Sequence, residues 1–512
     1  MNRKKKEIHI SRQKSSNKIN RSSRVSKKAG ILWKGLLFII SVMIPPVIVV
    51  IYCLSIPAQY TNTFMGELSD KYTRLYSIQS PKIIVLGGSS VAFGLNSAEL
   101  ESYTGYPVVN FGLYATLGTK VMLDLSKGAL NNGDIVVLAP EMNDQTLSLY
   151  FNGESMWQAA ESNLNMLSHI GKDNWSDMIG TFWDFAQSKL RYQKEGAPNP
   201  NGVYRHDSFN EYGDIIYERP YNQMQTGYDM GTPIKLSKDM VSQEFIDYVN
   251  EYIEYAEKKG ASVYFSYSPM NQAALVEGTT DDSIYEFFCY FNEQIHCPQI
   301  SNINDYILDY HYFYDSNFHL NDSGVQIRTT QLAEDLCRTL GITKNITVAK
   351  PPFPEAPQPE VPVQVENPET DWTKYFVYTP FYTADQQLIG YVVSGLSEEG
   401  NTMQKLEIPG IYEGLPVLSI AENAFQSSTS LTDLTIRSNI KSIQSGAFAG
   451  CSTLVALHIY NEDESTMTVD QQHLMDGAVN TITIYLYSKD SYMSYATGYF
   501  WGAYSQYMKL VY

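Results

Sequence analysis

Lys82-Ile-Ile-Val-Leu-Gly87-Gly88-Ser89-Ser90 decides how the first half of the chain is read. A β-branched apolar run closed by two glycines is the pattern of a parallel strand buried on both faces. Two serines follow at its carboxyl end, the side of an open α/β sheet where ligands bind. Taken alone, the same residues describe an ordinary strand with a Gly/Ser turn. Their meaning therefore depends on what accompanies them.

Working outward, Pro107-Val-Val-Asn-Phe-Gly112 reads as a second strand and Gly118–Leu130 as the helix after it. Asn132-Gly133-Asp134 is a turn launching Ile135-Val-Val-Leu-Ala139, another central strand. Residues 154–190 read as mostly helical. Residues 195–235 form a Tyr- and Asn-rich insertion, too long for a plain connection. Ser242–Lys259 carries Phe245, Tyr248, Val249, Tyr252, Ile253 and Ala256 at helical spacing, with Ser242 as cap and Gly260 as stop. Ala261–Ser268 is a strand and Asp322–Leu340 a closing helix. This alternation predicts an α/β domain over 81–345, a three-layer doubly wound parallel sheet.

Beyond it, seven prolines within 350–370 forbid a packed core, so 346–370 reads as a semi-rigid linker. Residues 371–512 then contain a repeat. Ile420-x3-Ala424-Phe425-x5-Leu431-x2-Leu434-x-Ile436 returns as Ile443-x3-Ala447-Phe448-x5-Leu454-x2-Leu457-x-Ile459, every position displaced by 23. Leu406-x-Ile408-Pro409 and Ile482-Thr-Ile-Tyr-Leu supply flanking strands. One such unit cannot bury its own apolar side, so neighbours must stack into a short solenoid. With Gly450-Cys-Ser-Thr-Leu454, the pattern over 385–512 resembles the BspA-type leucine-rich repeats of bacterial surface proteins. Such repeats are interaction scaffolds, and their Ala, Phe, Leu and Ile positions are core.

The amino-terminal end has a different composition. Residues 1–34 hold twelve lysines and arginines against one acid, Glu7, and form a basic tail. The body is therefore even more acidic than the whole-chain balance of −18, which disfavours nucleic acid as a partner. Gly35–Ile56 is uncharged and would span ~33 Å as a helix, enough for a bilayer core. Its basic flank predicts a single-pass anchor with the amino terminus cytoplasmic and the body extracellular, joined by a connector over 57–80. The five cysteines show no CxxC pair and no ligand spacing, so no metal or cofactor is expected. A disulfide between Cys289 and Cys297 is an option in the exported body that nothing in the sequence requires.

A nucleophilic serine needs a base, an acid to orient it, and oxyanion donors. Of the eight histidines, His319 stands apart. It lies in Asp315-Ser-Asn-Phe-His319-Leu-Asn321-Asp-Ser-Gly324, just before the closing helix. At these residues the chain resembles the SGNH (GDSL-like) hydrolase and acyltransferase superfamily, and above all its membrane-anchored bacterial branch. The resemblance covers about residues 81–345. It implies Ser89 as nucleophile (Ser90 if the register slips by one), His319 as base and Asp315 as orienting acid. It further implies an oxyanion hole from the amides of Ser89 and Gly112 with the Asn143 side chain. Two departures are visible: the acid stands four residues before His319, where Ser316 holds the customary place three before, and the third block lacks its glycine. Its Pro140-Glu141 form opens a second option, with Glu141 in the site.

The expected function is that of an extracellular, membrane-anchored serine esterase or O-acyltransferase. Its substrate would be an O-acetyl or D-alanyl type ester of a cell-envelope polysaccharide or teichoic-acid-like polymer. A transferase would need a separate membrane acyl-donor protein. The alternative is a non-catalytic adhesin or polymer-binding protein in which the repeats do the work.

Overall fold

A computed structural model describes residues 44–355 except 225, and 371–511 except 427, 438, 471–472, 477–481 and 499. The basic tail, the first part of the expected membrane span and residues 356–370 of the linker lie outside these. Residues 44–55 are helical, and no helix among the described residues is long and apolar enough to cross a membrane.

The first domain is built on four parallel strands: β1 (Ile83–Gly87), β2 (Val108–Gly112), β3 (Ile135–Leu138) and β4 (Ser262–Phe265). Their order is β2-β1-β3-β4. The strand order thus reverses at β1, and the crevice of such a sheet opens at the carboxyl end of that strand. Alternate residues serve opposite faces. Ile83, Val85, Val108, Ile135 and Val137 pack with Leu332, Ala333 and Leu336 of helix Asp322–Leu340. Ile84, Leu86, Val109, Val136 and Leu138 join the larger core with Val121, Met122 and Leu125 of helix Thr119–Lys127 and with helix Gln243–Lys258. Burial on both faces explains the unbroken apolar runs, each such side chain contributing about 1.5–3 kcal/mol. Ser242 caps its helix by accepting from Phe245 N. At the opposite end of β1, Lys82 Nζ meets Asp134 Oδ2 at 2.8 Å with both side chains fully buried.

The repeat domain opens with an antiparallel pair, Phe376–Tyr382 with Leu388–Leu396. Two stacks of short parallel strands follow. The 23-residue displacement is a hydrogen-bond register: Leu434 lies opposite Leu457, Ile436 opposite Ile459 and Ile420 opposite Ile443. Phe425 and Phe448 stack with centroids 5.7 Å apart.

Two expectations need correction. The described part of the linker is not a free spacer, because 346–355 lies along the α/β domain. Ala349 N donates to Thr330 Oγ1, Tyr312 donates to Pro351 O, and Phe353 stacks on His311 at 4.5 Å. Cys289 and Cys297 are free thiols, and burial pushes Cys297 up to about 12.

Candidate functional site

β1 ends on Gly87, and Gly88 leads into a five-residue helix, Ser89–Phe93. Ser89 and Ser90 are its first two residues and both are buried. Gly112 ends β2 directly opposite Gly87. A Cβ on Gly112 would stand 2.4 Å from Val91 Cβ and 2.6 Å from Gly88 O, so only glycine permits this approach.

His319 arrives on a tight hairpin closed by the Phe313–Leu320 bridge and by Tyr314 N donating to His319 O at 2.8 Å. Ser316 Oγ accepts from His319 N at 3.1 Å and from Phe318 N at 3.2 Å, making the turn. The Ser316 side chain is thus engaged in the turn and does not reach the ring. Folding the hairpin over Ser316 brings Asp315 beside the ring instead. Asn321 then caps the closing helix through Gly324 N.

His319 Nε2 lies 2.7 Å from Ser89 Oγ, and His319 Nδ1 lies 2.7 Å from Asp315 Oδ1. The structure thus brings together the three residues expected to act as nucleophile, base and orienting acid. Ser90 Oγ has no hydrogen-bond partner, while Ser89 Oγ faces the imidazole. Phe93, four residues after Ser89, stacks on the imidazole with centroids 3.9 Å apart and planes 5° from parallel.

The expected oxyanion donors are arranged differently. Gly112 N–H is turned to Asn110 Oδ1 at 3.3 Å, because Asn110 reaches back along its own strand end. Asn143 directs Nδ2 towards Glu141 Oε2 at 3.4 Å, while its Oδ1 accepts from Thr146 N. Glu141 lies inside the site, with Oε1 accepting from Ser89 Oγ at 2.9 Å and from Ser90 N at 2.8 Å.

Three further participants were given no role by the sequence, two of them outside any motif. Tyr204 donates to Asp315 Oδ2 at 2.7 Å. Arg219 donates to Phe93 O at 2.9 Å, and burial lowers its guanidinium value. Asn317 holds the hairpin tip through Asp229 and Thr232 backbone groups. Tyr204 and Arg219, like Asp229 and Thr232, belong to the 195–235 insertion, whose composition carries no periodicity to read. Glu67, Asp70 and His206 form a separate group with ligand atoms within 4.8 Å of one another. Burial pushes the Glu67 carboxyl up to about 8.

Among known families, the BspA type leucine-rich repeat model matches residues 411–495 in six copies. The match stays within the second domain, and residues 81–345 have no counterpart in it. Among solved structures, a T. pallidum leucine-rich repeat protein is 23% identical over 24% of this chain and 45% of its own, with a TM-score of 0.15. The chain therefore spans less than half of that protein's length. No curated protein matches the chain. Residues 411–495 are thus leucine-rich repeats of the BspA type, a class that suggests a surface or binding protein.

Proposed function

We propose that the chain is an envelope-facing binding protein whose α/β domain carries a serine acyl-transfer site of SGNH type. The observation that supports this reading most is the run of 2.7 Å contacts from Asp315 through His319 to Ser89. Its position at the carboxyl end of β1 supports it further. In this reading His319 takes the Ser89 proton during attack on an ester, Asp315 holds the imidazole tautomer, and the acyl group passes to water or a sugar hydroxyl. The substrate class is an O-acetyl or D-alanyl type ester of a cell-envelope glycopolymer, held by the repeats. A transferase would draw its acyl group from a separate membrane protein. Residues 35–56 form the anchor, a reading supported by Ile44, Ile48 and Ile51, which stand exposed on helix 44–55.

The test is turnover of an acetyl-ester reporter by the full-length protein. Ser89→Ala abolishes it, and wild-type turnover in that variant would remove Ser89 from the mechanism. A second reading is non-catalytic, with the repeats as adhesin or polymer binder. The family match favours it, since it covers the repeats and nothing else. Polymer binding that is intact in Ser89→Ala, together with no ester turnover by the wild type, would select it.

A further inference from the structure

We infer that the Glu141 carboxylate occupies the oxyanion pocket of this site and holds it closed in the resting protein. The inference rests on the reading of Ser89 as nucleophile.

Three donors meet on this one group. Ser89 Oγ and Ser90 N–H point to Oε1 at 2.9 and 2.8 Å, and Asn143 Nδ2 faces Oε2 at 3.4 Å. A backbone amide beside the nucleophile and a side-chain amide from a neighbouring loop are what a tetrahedral intermediate's oxygen requires. Here they already hold a carboxyl oxygen. Gly112, with its amide on Asn110, takes no part. Glu141 is 4% exposed, so the occupant is enclosed with the site rather than lying across its mouth. A Cβ on Gly88 would come within 2.9 Å of Glu141 Oε1. The second glycine of the opening motif therefore makes room for this carboxylate.

Counting hydrogens gives the consequence. The contacts Nε2–Oγ at 2.7 Å and Oγ–Oε1 at 2.9 Å need one hydrogen each. The Ser89 hydroxyl brings one. The other sits on His319 Nε2 or on Glu141 Oε1. In the first case the base is already protonated. In the second the hydroxyl accepts from an acid while donating to the imidazole, and the pocket is still filled. Neither arrangement is ready for attack.

Withdrawal of Glu141, with His319 neutral, restores the balance. Ser89 Oγ bonds to the ester carbon as its proton moves to Nε2. The carbonyl electron pair moves onto the oxygen, which takes the place of Oε1 against Ser90 N–H and Asn143. The carbon–oxygen bond to the leaving alcohol then breaks, and Nε2 returns the proton to that alcohol.

The test is the rate at which a fluorophosphonate probe, which phosphonylates an activated serine and releases fluoride, labels the full-length protein. Glu141→Ala removes the occupant and is expected to label at Ser89 roughly tenfold or more faster than wild type. Glu141→Ser, which also empties the pocket but keeps a polar group there, is likewise expected to label faster than wild type. It guards against misfolding of the alanine variant. Labelling of either folded variant at or below the wild-type rate overturns the inference and leaves Ser89 as nucleophile. Absence of labelling in wild type and both variants overturns the nucleophile reading, and this inference with it. Ser89→Ala must stay unlabelled throughout; labelling there places the reactive group elsewhere and overturns both.

Discussion

Asp315 divides its carboxylate between two donors, His319 Nδ1 on Oδ1 and the Tyr204 hydroxyl on Oδ2. Tyr204 touches none of the reacting atoms; it fixes the carboxylate plane and, through it, the ring. Tyr204→Phe removes one hydrogen bond to a charged acceptor, worth about 1.5–3 kcal/mol. If that loss falls on the transition state, kcat of the ester reporter drops by roughly ten- to hundredfold with KM unchanged. A shift in KM alone would assign Tyr204 to packing. At this scale the sequence was partly legible. Ser89 and His319 stand in short motifs, so they could be read. The placement of Asp315 beside the ring was obscured by its spacing, because Ser316 folds the turn between them and nothing in the local sequence announces that. Tyr204 is one of 39 tyrosines, and only the fold distinguishes it.

Among the elements, the strands and repeats were legible because burial on both faces or stacking imposes a pattern. β1 to β3 and the closing helix fall where the apolar runs predict, and the 23-residue displacement is the register itself. The strand expected over Ala261–Ser268 is shorter, Ser262–Phe265, and beyond Pro269 the chain pairs elsewhere, Met270–Asn271 with Ile307–Leu308. The insertion was opaque for the opposite reason: it packs through single side chains without period. In the repeat stack, Phe448 is fully buried against Phe425. Phe448→Ala should lower stability by about 3–5 kcal/mol, the cost of an aromatic cavity. Denaturant titration of the full chain checks this, and a loss under 1 kcal/mol would mean that the stack collapses around the gap.

At the scale of the molecule, the two domains share an interface rather than a tether. Tyr192 donates to Ala496 O at 3.0 Å, Arg191 reaches Ser505 O, and Phe500 packs edge-on against Tyr204 at 5.8 Å. The same chain of contacts therefore runs from the repeats to the residue that holds Asp315. At the other end of the solenoid, Ala384 N donates to Thr226 O and Tyr310 to Asp385. Between the domains lies a cavity of about 510 Å³ lined in part by Tyr228, Met230, Phe381 and Tyr382. Scanning calorimetry of the full chain should give one cooperative transition. Two well-separated peaks would show that the interface does not couple the domains. Contact at both ends also constrains how such a protein can change. A free-ended solenoid tolerates gain or loss of whole units, each adding one strand spacing of about 4.8 Å. Here one more 23-residue unit would carry the far contacts past Tyr192 by that distance while Thr226 held the near end. The span between the two contact points on the α/β domain thus works as a ruler for repeat number.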